Sequence, residues 1–231
     1  MQEPLVLLPG MMCDGRLFAS QIAAFSHERP VMVASLQGAN SVAKLAEEVL
    51  SIAPPRFALA GLSMGGIVAM EIYRQAPERI TRLALMDTNA LSDPPENAAM
   101  RERQVKKALE GGLREVMRDE LKPKYLAEGK NSSRILDLCM KMADALGSKV
   151  FADQSTAVQH RPDQCETLKH VQVPALVLCG SEDRLCPIER HELMHHLVAG
   201  SKLAVIPGAG HLPTLEQPEL TNRRLMKWLK S

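Results

Sequence analysis

Short apolar runs alternate with stretches of helical periodicity along most of this chain, and that alternation restricts the fold more than any other feature. The candidate strands are Leu5 to Leu8, Val31 to Ser35, Phe57 to Ala60, Leu83 to Met86, Ala175 to Cys179 and Lys202 to Ile206. Between the second and third, Val42, Leu45, Ala46, Val49, Leu50 and Ala53 recur at i, i+3, i+4, i+7, i+8 and i+11, with Ser41 placed as the helix cap. The run from Met64 to Ala76 predicts a more deeply buried helix stopped by Pro77, and Glu216 to Leu229 predicts a closing helix. Strand, helix, strand in this order builds an α/β fold: a mostly parallel sheet of about six strands with helices on both faces.

The alternation breaks once. From about Asp93 to Leu168 there are helical segments, such as Arg101 to Leu109 and Ile135 to Leu146, but no convincing strand. Pro94, Pro95, Pro162 and Pro174 punctuate its ends. The expected organisation is one core made of residues 1–92 and 168–231, with residues 93–167 inserted as a helical cap.

At 231 residues, 45% hydrophobic and 24% charged, the chain has the composition of a single soluble domain. Lys and Arg total 28 against 27 for Asp and Glu, so no net field favours nucleic acid or an anionic membrane surface. Met1 to Pro9 lacks the basic start and long apolar run of a signal peptide, and no apolar stretch reaches the roughly 18 residues of a membrane span. A cytoplasmic protein without membrane partners is expected. Five cysteines, an odd number with no CxxC pair, predict reduced thiols and no disulfide framework.

Gly61-Leu62-Ser63-Met64-Gly65, followed by Gly66, matches the nucleophile elbow G-x-S-x-G and falls between a predicted strand and a predicted helix. Three fixed positions arise by chance roughly once in a dozen chains of this length, so the context carries more weight than the motif. Glycines suit a strained turn where chain segments come close, and the turn lifts the Ser63 hydroxyl above the sheet at a helix N-terminus. A capping serine in a Gly-rich corner is the plainer reading of the same residues.

A serine is a weak nucleophile without a base and an orienting acid, which this motif places downstream in the order acid, then His. After the strand ALVLC comes Gly180-Ser181-Glu182-Asp183-Arg184, and after KLAVI comes Pro207-Gly208-Ala209-Gly210-His211. Both follow carboxyl ends of strands, where open parallel sheets build their sites. His211 is the candidate base and Asp183 the candidate acid, with Glu182 and Asp87 as rivals to Asp183.

The segments GLSMGG, LVLCGSEDRLCP and IPGAGHLPTLEQP together resemble the α/β-hydrolase superfamily, particularly its small capped members acting on esters and lactones. The resemblance covers nearly the whole chain outside the cap. It implies a serine hydrolase with a Ser63, His211 and Asp183 triad, a small-molecule acyl substrate and no cofactor or metal. It also implies that Met11 and Met64 donate backbone N–H groups to an oxyanion. Two departures stand out: Pro9 replaces the usual His of the loop after the first parallel strand, leaving Met11 and Met12 as competing donors, and the family's first antiparallel hairpin is missing. A trimmed sheet is expected.

His191-Glu192-Leu193-Met194-His195 matches the H-E-x-x-H pattern of zinc peptidases. Leu193, Met194, Leu197 and Val198 mark an apolar face that leaves both histidines toward solvent, and the resemblance sets this helix away from the catalytic end, so a zinc site is the lesser alternative. A ligand-binding or signalling protein that keeps the fold with little turnover is another. Met100, Met117, Met140 and Met142 suit cap packing or an apolar pocket, and Arg161 suits a structural ion pair or a substrate carboxylate.

Overall fold

Strands that are apolar at every position must be covered on both faces, and the fold does this with a six-stranded sheet in the order β2-β1-β3-β4-β5-β6. The computed structural model describes residues 2–129 and 132–231. The strands are β1 (Leu5–Leu8), β2 (Val31–Val33), β3 (Phe57–Leu62), β4 (Ile80–Met86), β5 (Ala175–Gly180) and β6 (Lys202–Ile206), and every neighbouring pair is parallel. The sheet contains no antiparallel strand among the described residues. Alternate residues serve opposite cores, Val6, Leu8, Leu59, Leu83, Leu85 and Val177 on one face and Leu5, Leu7, Ala58, Ala60, Leu176 and Leu178 on the other.

Helices α1 (Ala19–Phe25), α2 (Val42–Ile52) and α3 (Met64–Gln75) connect the first strands. Ser41 caps α2, its side chain accepting from Lys44 N–H at 3.3 Å. Between β4 and β5 lie α4 (Ala98–Lys107), irregular helical turns as far as Lys124, and α5 (Ser132–Gln159), a long helical run broken at Gly147, where φ is 82°. No strand occurs there among the described residues. Then follow α6 (Cys165–Lys169), α7 (Ile188–Leu197) and α8 (Pro218–Leu229). The last helix starts two residues later than its periodicity suggests because Pro218 takes the first-turn position. The edge strand β2 stops at Val33 rather than Ser35, having only β1 to pair with. No helix among the described residues is long and apolar enough to cross a membrane.

The chain leaves β1 for β2 on one side and returns to β3 on the other. The carboxyl ends of β1 and β3 are therefore the switch point, the place where doubly wound sheets hold their ligands. Close packing there leaves no room at Gly65: a Cβ would strike the Leu8 carbonyl and lie 2.8 Å from Pro9 O. Gly65→Ala is expected to cost about 3 kcal/mol, read as a lowered urea midpoint; an unchanged midpoint would contradict this packing of α3 against the end of β1.

Ends of the β4–β5 insertion are tied by charge. Arg161 Nη1 donates to Asp93 Oδ1 at 3.0 Å and Arg101 Nε to Asp93 Oδ2 at 2.6 Å, with Arg161 also reaching the Leu91 and Val158 carbonyls. Arg161 thus takes the structural of its two expected uses. Burial pushes the Asp93 carboxyl up, but the hydrogen bonds and charge of Arg101 and the charge of Arg161 outweigh it and hold it below the usual range. A lowered folded-state value stabilises above the ordinary Asp range and is lost as pH falls through it. Arg161→Met is expected to cost about 3 kcal/mol at neutral pH and to flatten the acid limb of a Tm-against-pH curve below about pH 4; an acid limb as steep as wild type would contradict this.

Candidate active site

Ser63 joins β3 to α3 at a backbone φ of 54°, a strained value for a residue with a side chain. The turn is held from several sides. Its N–H donates to Met86 O at 2.9 Å, and Thr88 Oγ1 donates to its carbonyl at 2.7 Å. A Cβ at Gly61 would collide with the backbone of Gly65 and lie 2.6 Å from Gly66 N, so the corner closes only with glycine.

His211 and Asp183 arrive from the loops after β6 and β5, both buried. His211 Nδ1 lies 2.8 Å from Asp183 Oδ2, and His211 Nε2 lies 2.9 Å from Ser63 Oγ. An ionised carboxylate only accepts, so Nδ1 carries the proton and donates to Asp183; Nε2 is then free to accept from the Ser63 hydroxyl. Asp183 Oδ1 accepts from the N–H groups of Leu185, at 2.8 Å, and Cys186, at 3.0 Å. Burial pushes the Asp183 carboxyl up, but His211 and these donors outweigh it and hold it below the ordinary value. The three residues singled out from sequence therefore meet in one hydrogen-bonded line. Asp87 makes no bond to His211; it accepts from Gly180 N–H at 2.9 Å.

In the loop after β1, Met11 and Met12 differ in what their N–H groups meet. Met12 N–H donates to Gln154 Oε1 at 2.8 Å, and Gln154 Nε2 donates to Leu36 O at 2.8 Å. Met11 and Met64 N–H have no protein acceptor among the described residues. Gly10 brings this loop against the elbow, since a Cβ there would sit 3.4 Å from Ser63 Cβ.

Two braces, one a carboxylate and one an amide, were not singled out from the sequence. Glu216 accepts from the N–H groups of Ala127 at 2.8 Å, Gly210 at 2.9 Å and Leu212 at 3.0 Å, clamping the residues on both sides of His211 to the β4–β5 insertion. Tyr125 O accepts from His211 N–H at 2.7 Å in the same seam. Gln154 is the other. Glu216 stands five residues after His211, where an acceptor for a Gly-rich loop was there to be sought; Gln154 lies in an ordinary helical stretch and offered no signal.

His191 departs from expectation. It is fully buried, not turned to solvent, and α7 approaches the catalytic edge: His191 Nε2 accepts from Thr88 N–H at 3.1 Å and Nδ1 faces Pro187 O at 3.3 Å. The buried residues of α7 are His191 and Met194, His191 being there because the trapped Thr88 N–H needs an acceptor that an aliphatic side chain cannot supply. Burial pushes this imidazole down to about 4 despite nearby Asp183, so it is neutral. Both its nitrogens are engaged, while His195 Nδ1 faces Ser201 Oγ at 2.7 Å. Among the described residues only Asp183, Cys186 and His211 bring three candidate metal-ligand atoms within 4.8 Å, and there Oδ2 and Nδ1 already bond each other. All five cysteines are free.

Comparison with known proteins follows the same lines. A model of the alpha/beta hydrolase family matches residues 5–224. The chain is 26% identical over 249 aligned residues to the dihydrolipoyllysine-residue acetyltransferase component of the acetoin cleaving system of Pseudomonas putida, covering 98% of this chain but only 63% of that protein. It is 24% identical over 245 residues to the pimeloyl-(acyl-carrier protein) methyl ester esterase of Pectobacterium carotovorum subsp. carotovorum (strain PC1), covering 98% of this chain and 94% of that one. Among solved structures, a thermophilic esterase from Thermogutta terrifontis superposes with a TM-score of 0.90 at 27% identity, over 100% of this chain and 90% of the other.

Proposed function

The chain belongs to the alpha/beta hydrolase family, and on that premise we propose that it is a serine hydrolase cleaving a small-molecule carboxylic ester, thioester or lactone through an acyl-enzyme. The observation that carries this reading is the continuous line from Ser63 Oγ through the His211 ring to Asp183, with contacts of 2.9 and 2.8 Å. A serine beside an unprotonated ring nitrogen whose tautomer is fixed from behind is an activated nucleophile. The ester activities named for two of the similar proteins support the bond class.

In this mechanism Ser63 Oγ bonds to the substrate carbonyl carbon while its proton passes to His211 Nε2. The carbonyl oxygen becomes an oxyanion, held by the N–H groups of Met11 and Met64, which have no protein acceptor among the described residues. Each well-aimed donor of this kind is worth roughly 3 kcal/mol. The intermediate collapses as the alcohol, or thiol, leaves with the proton from Nε2, and Ser63 keeps the acyl group. Water then gives a proton to Nε2 and adds to the acyl carbon; the second intermediate releases the carboxylic acid and returns the proton to Ser63. Asp183 stabilises the imidazolium at each stage, and proton transfer of this kind contributes about 10²–10⁴-fold. Gln154, by holding Met12 N–H, fixes the loop so that Met11 and not its neighbour faces the oxyanion.

Rapid-quench mass spectrometry during turnover of short acyl esters, thioesters and lactones tests the reading. An acyl adduct on Ser63 is expected, with hydrolysis indifferent to chelators; hydrolysis that stops on chelation and leaves Ser63 free would contradict it.

A further inference from the structure

Behind Asp183 lies a second carboxyl that the proposed chemistry does not use. Asp87 follows β4 at a φ of 44° and is fully buried. Its N–H donates to Leu178 O and its Oδ1 accepts from Gly180 N–H, both at 2.9 Å, but Oδ2 is buried with no partner among the described residues. Gly180 links the two acids, since its carbonyl also accepts from Asp183 N–H at 3.4 Å. An ionised Asp87 would leave a bare carboxylate oxygen in a buried site beside another anion. A protonated one has a hydrogen to give, and the Asp183 side chain is the neighbouring carboxyl that acts on it.

We propose that Asp87 is a positioning residue, a neutral carboxylic acid whose Oδ2–H donates to the Asp183 carboxylate and fixes its plane toward His211. The groups that face it fit this assignment. Asp183 and, more weakly, Glu216 set negative charge against it; Cys179 on β5 and Cys186 after it are thiols pushed up by burial and by both aspartates; His191 on α7, reached through Thr88, is neutral. Burial first and Asp183 second drive the Asp87 carboxyl well above its ordinary value, while Asp183 goes the opposite way. Two carboxyls in one buried site share one proton, and the partner bonded to His211 is the one that stays ionised. Asp183 then has a partner on every side: Leu185 and Cys186 N–H, His211 Nδ1–H and Asp87.

The role in turnover rests on the serine-hydrolase reading, but the protonation state does not, so the test has one arm for each. Infrared difference spectra of wild type against Asp87→Asn at pH 7 should show loss of one carboxylic C=O band, whether or not any substrate is turned over. Asn keeps an acceptor for Gly180 N–H and a donor for Asp183; Asp87→Ala keeps neither. Asp87→Ala is expected to lower kcat about 10–100-fold with KM nearly unchanged, as loss of a ligand-orienting partner does elsewhere, and to shift the low-field proton resonance of His211 Nδ1–H. Asp87→Asn should restore both. No lost band would show Asp87 to be ionised and overturn the proposal. So would a folded Asp87→Ala protein with wild-type kcat and resonance, or an Asp87→Asn protein no better than Asp87→Ala.

Discussion

Ser63→Ala is expected to lower kcat on a short acyl ester by about 10⁴–10⁶-fold with little change in Tm, and His211→Ala by a similar factor. Among the described residues the Ser63 hydroxyl makes one side-chain bond, to His211 Nε2, so its removal takes away the nucleophile while His211 stays anchored to Asp183 through Nδ1. The stronger expectation concerns the pair. Because Ser63 and His211 act on the same proton, the double variant should be no slower than the slower single one, with the residual rate coming from the Met11 and Met64 N–H groups and from binding. Steady-state kinetics of the three variants, with thermal melts to establish folding, checks this. Multiplying losses in the double variant would mean that the two side chains work independently.

Asp183→Asn should lower kcat by about 10⁴-fold while the fold persists. Asn keeps an oxygen for the N–H groups of Leu185 and Cys186 but turns an amide donor toward His211 Nδ1. The ring must then place its proton on Nε2, where it faces Ser63 Oγ and the serine proton has nowhere to go. The defect is one of tautomer, so it should appear in kcat and not in KM, and a two-dimensional NMR spectrum of the imidazole should report the switched proton. Near wild-type turnover in a folded Asp183→Asn protein would pass the orienting role to another acid, with Asp87 the nearest.

What the sequence made legible was set by the range of the interactions involved. Strand cores and the Ser41 cap are local, and their positions were readable, as were the elbow and the two loops, because each needs a particular residue within a few positions of a strand end. Asp183 against Asp87 was a contest between two strand ends whose spacing only the sheet order decides. Met12 N–H is taken up by Gln154, 142 residues downstream, and nothing in a helical stretch marks a glutamine that holds a distant N–H. His191 misled for a related reason: periodicity ranks residues by their liking for water, whereas Thr88, from another strand end, needed an acceptor under α7. Glu216 shows the same pattern, one carboxylate satisfying three N–H groups from two separate segments.

The most direct measurement is labelling of the folded protein with a fluorophosphonate, followed by peptide mass spectrometry. One adduct on Ser63, absent from Ser63→Ala and strongly reduced in His211→Ala, is the expected result, because only a serine whose proton His211 can accept attacks phosphorus at a useful rate. A folded wild-type protein that stays unlabelled, or one labelled equally in Ser63→Ala, would contradict the account; tight ligand binding without turnover would then favour a binding protein built on the same fold.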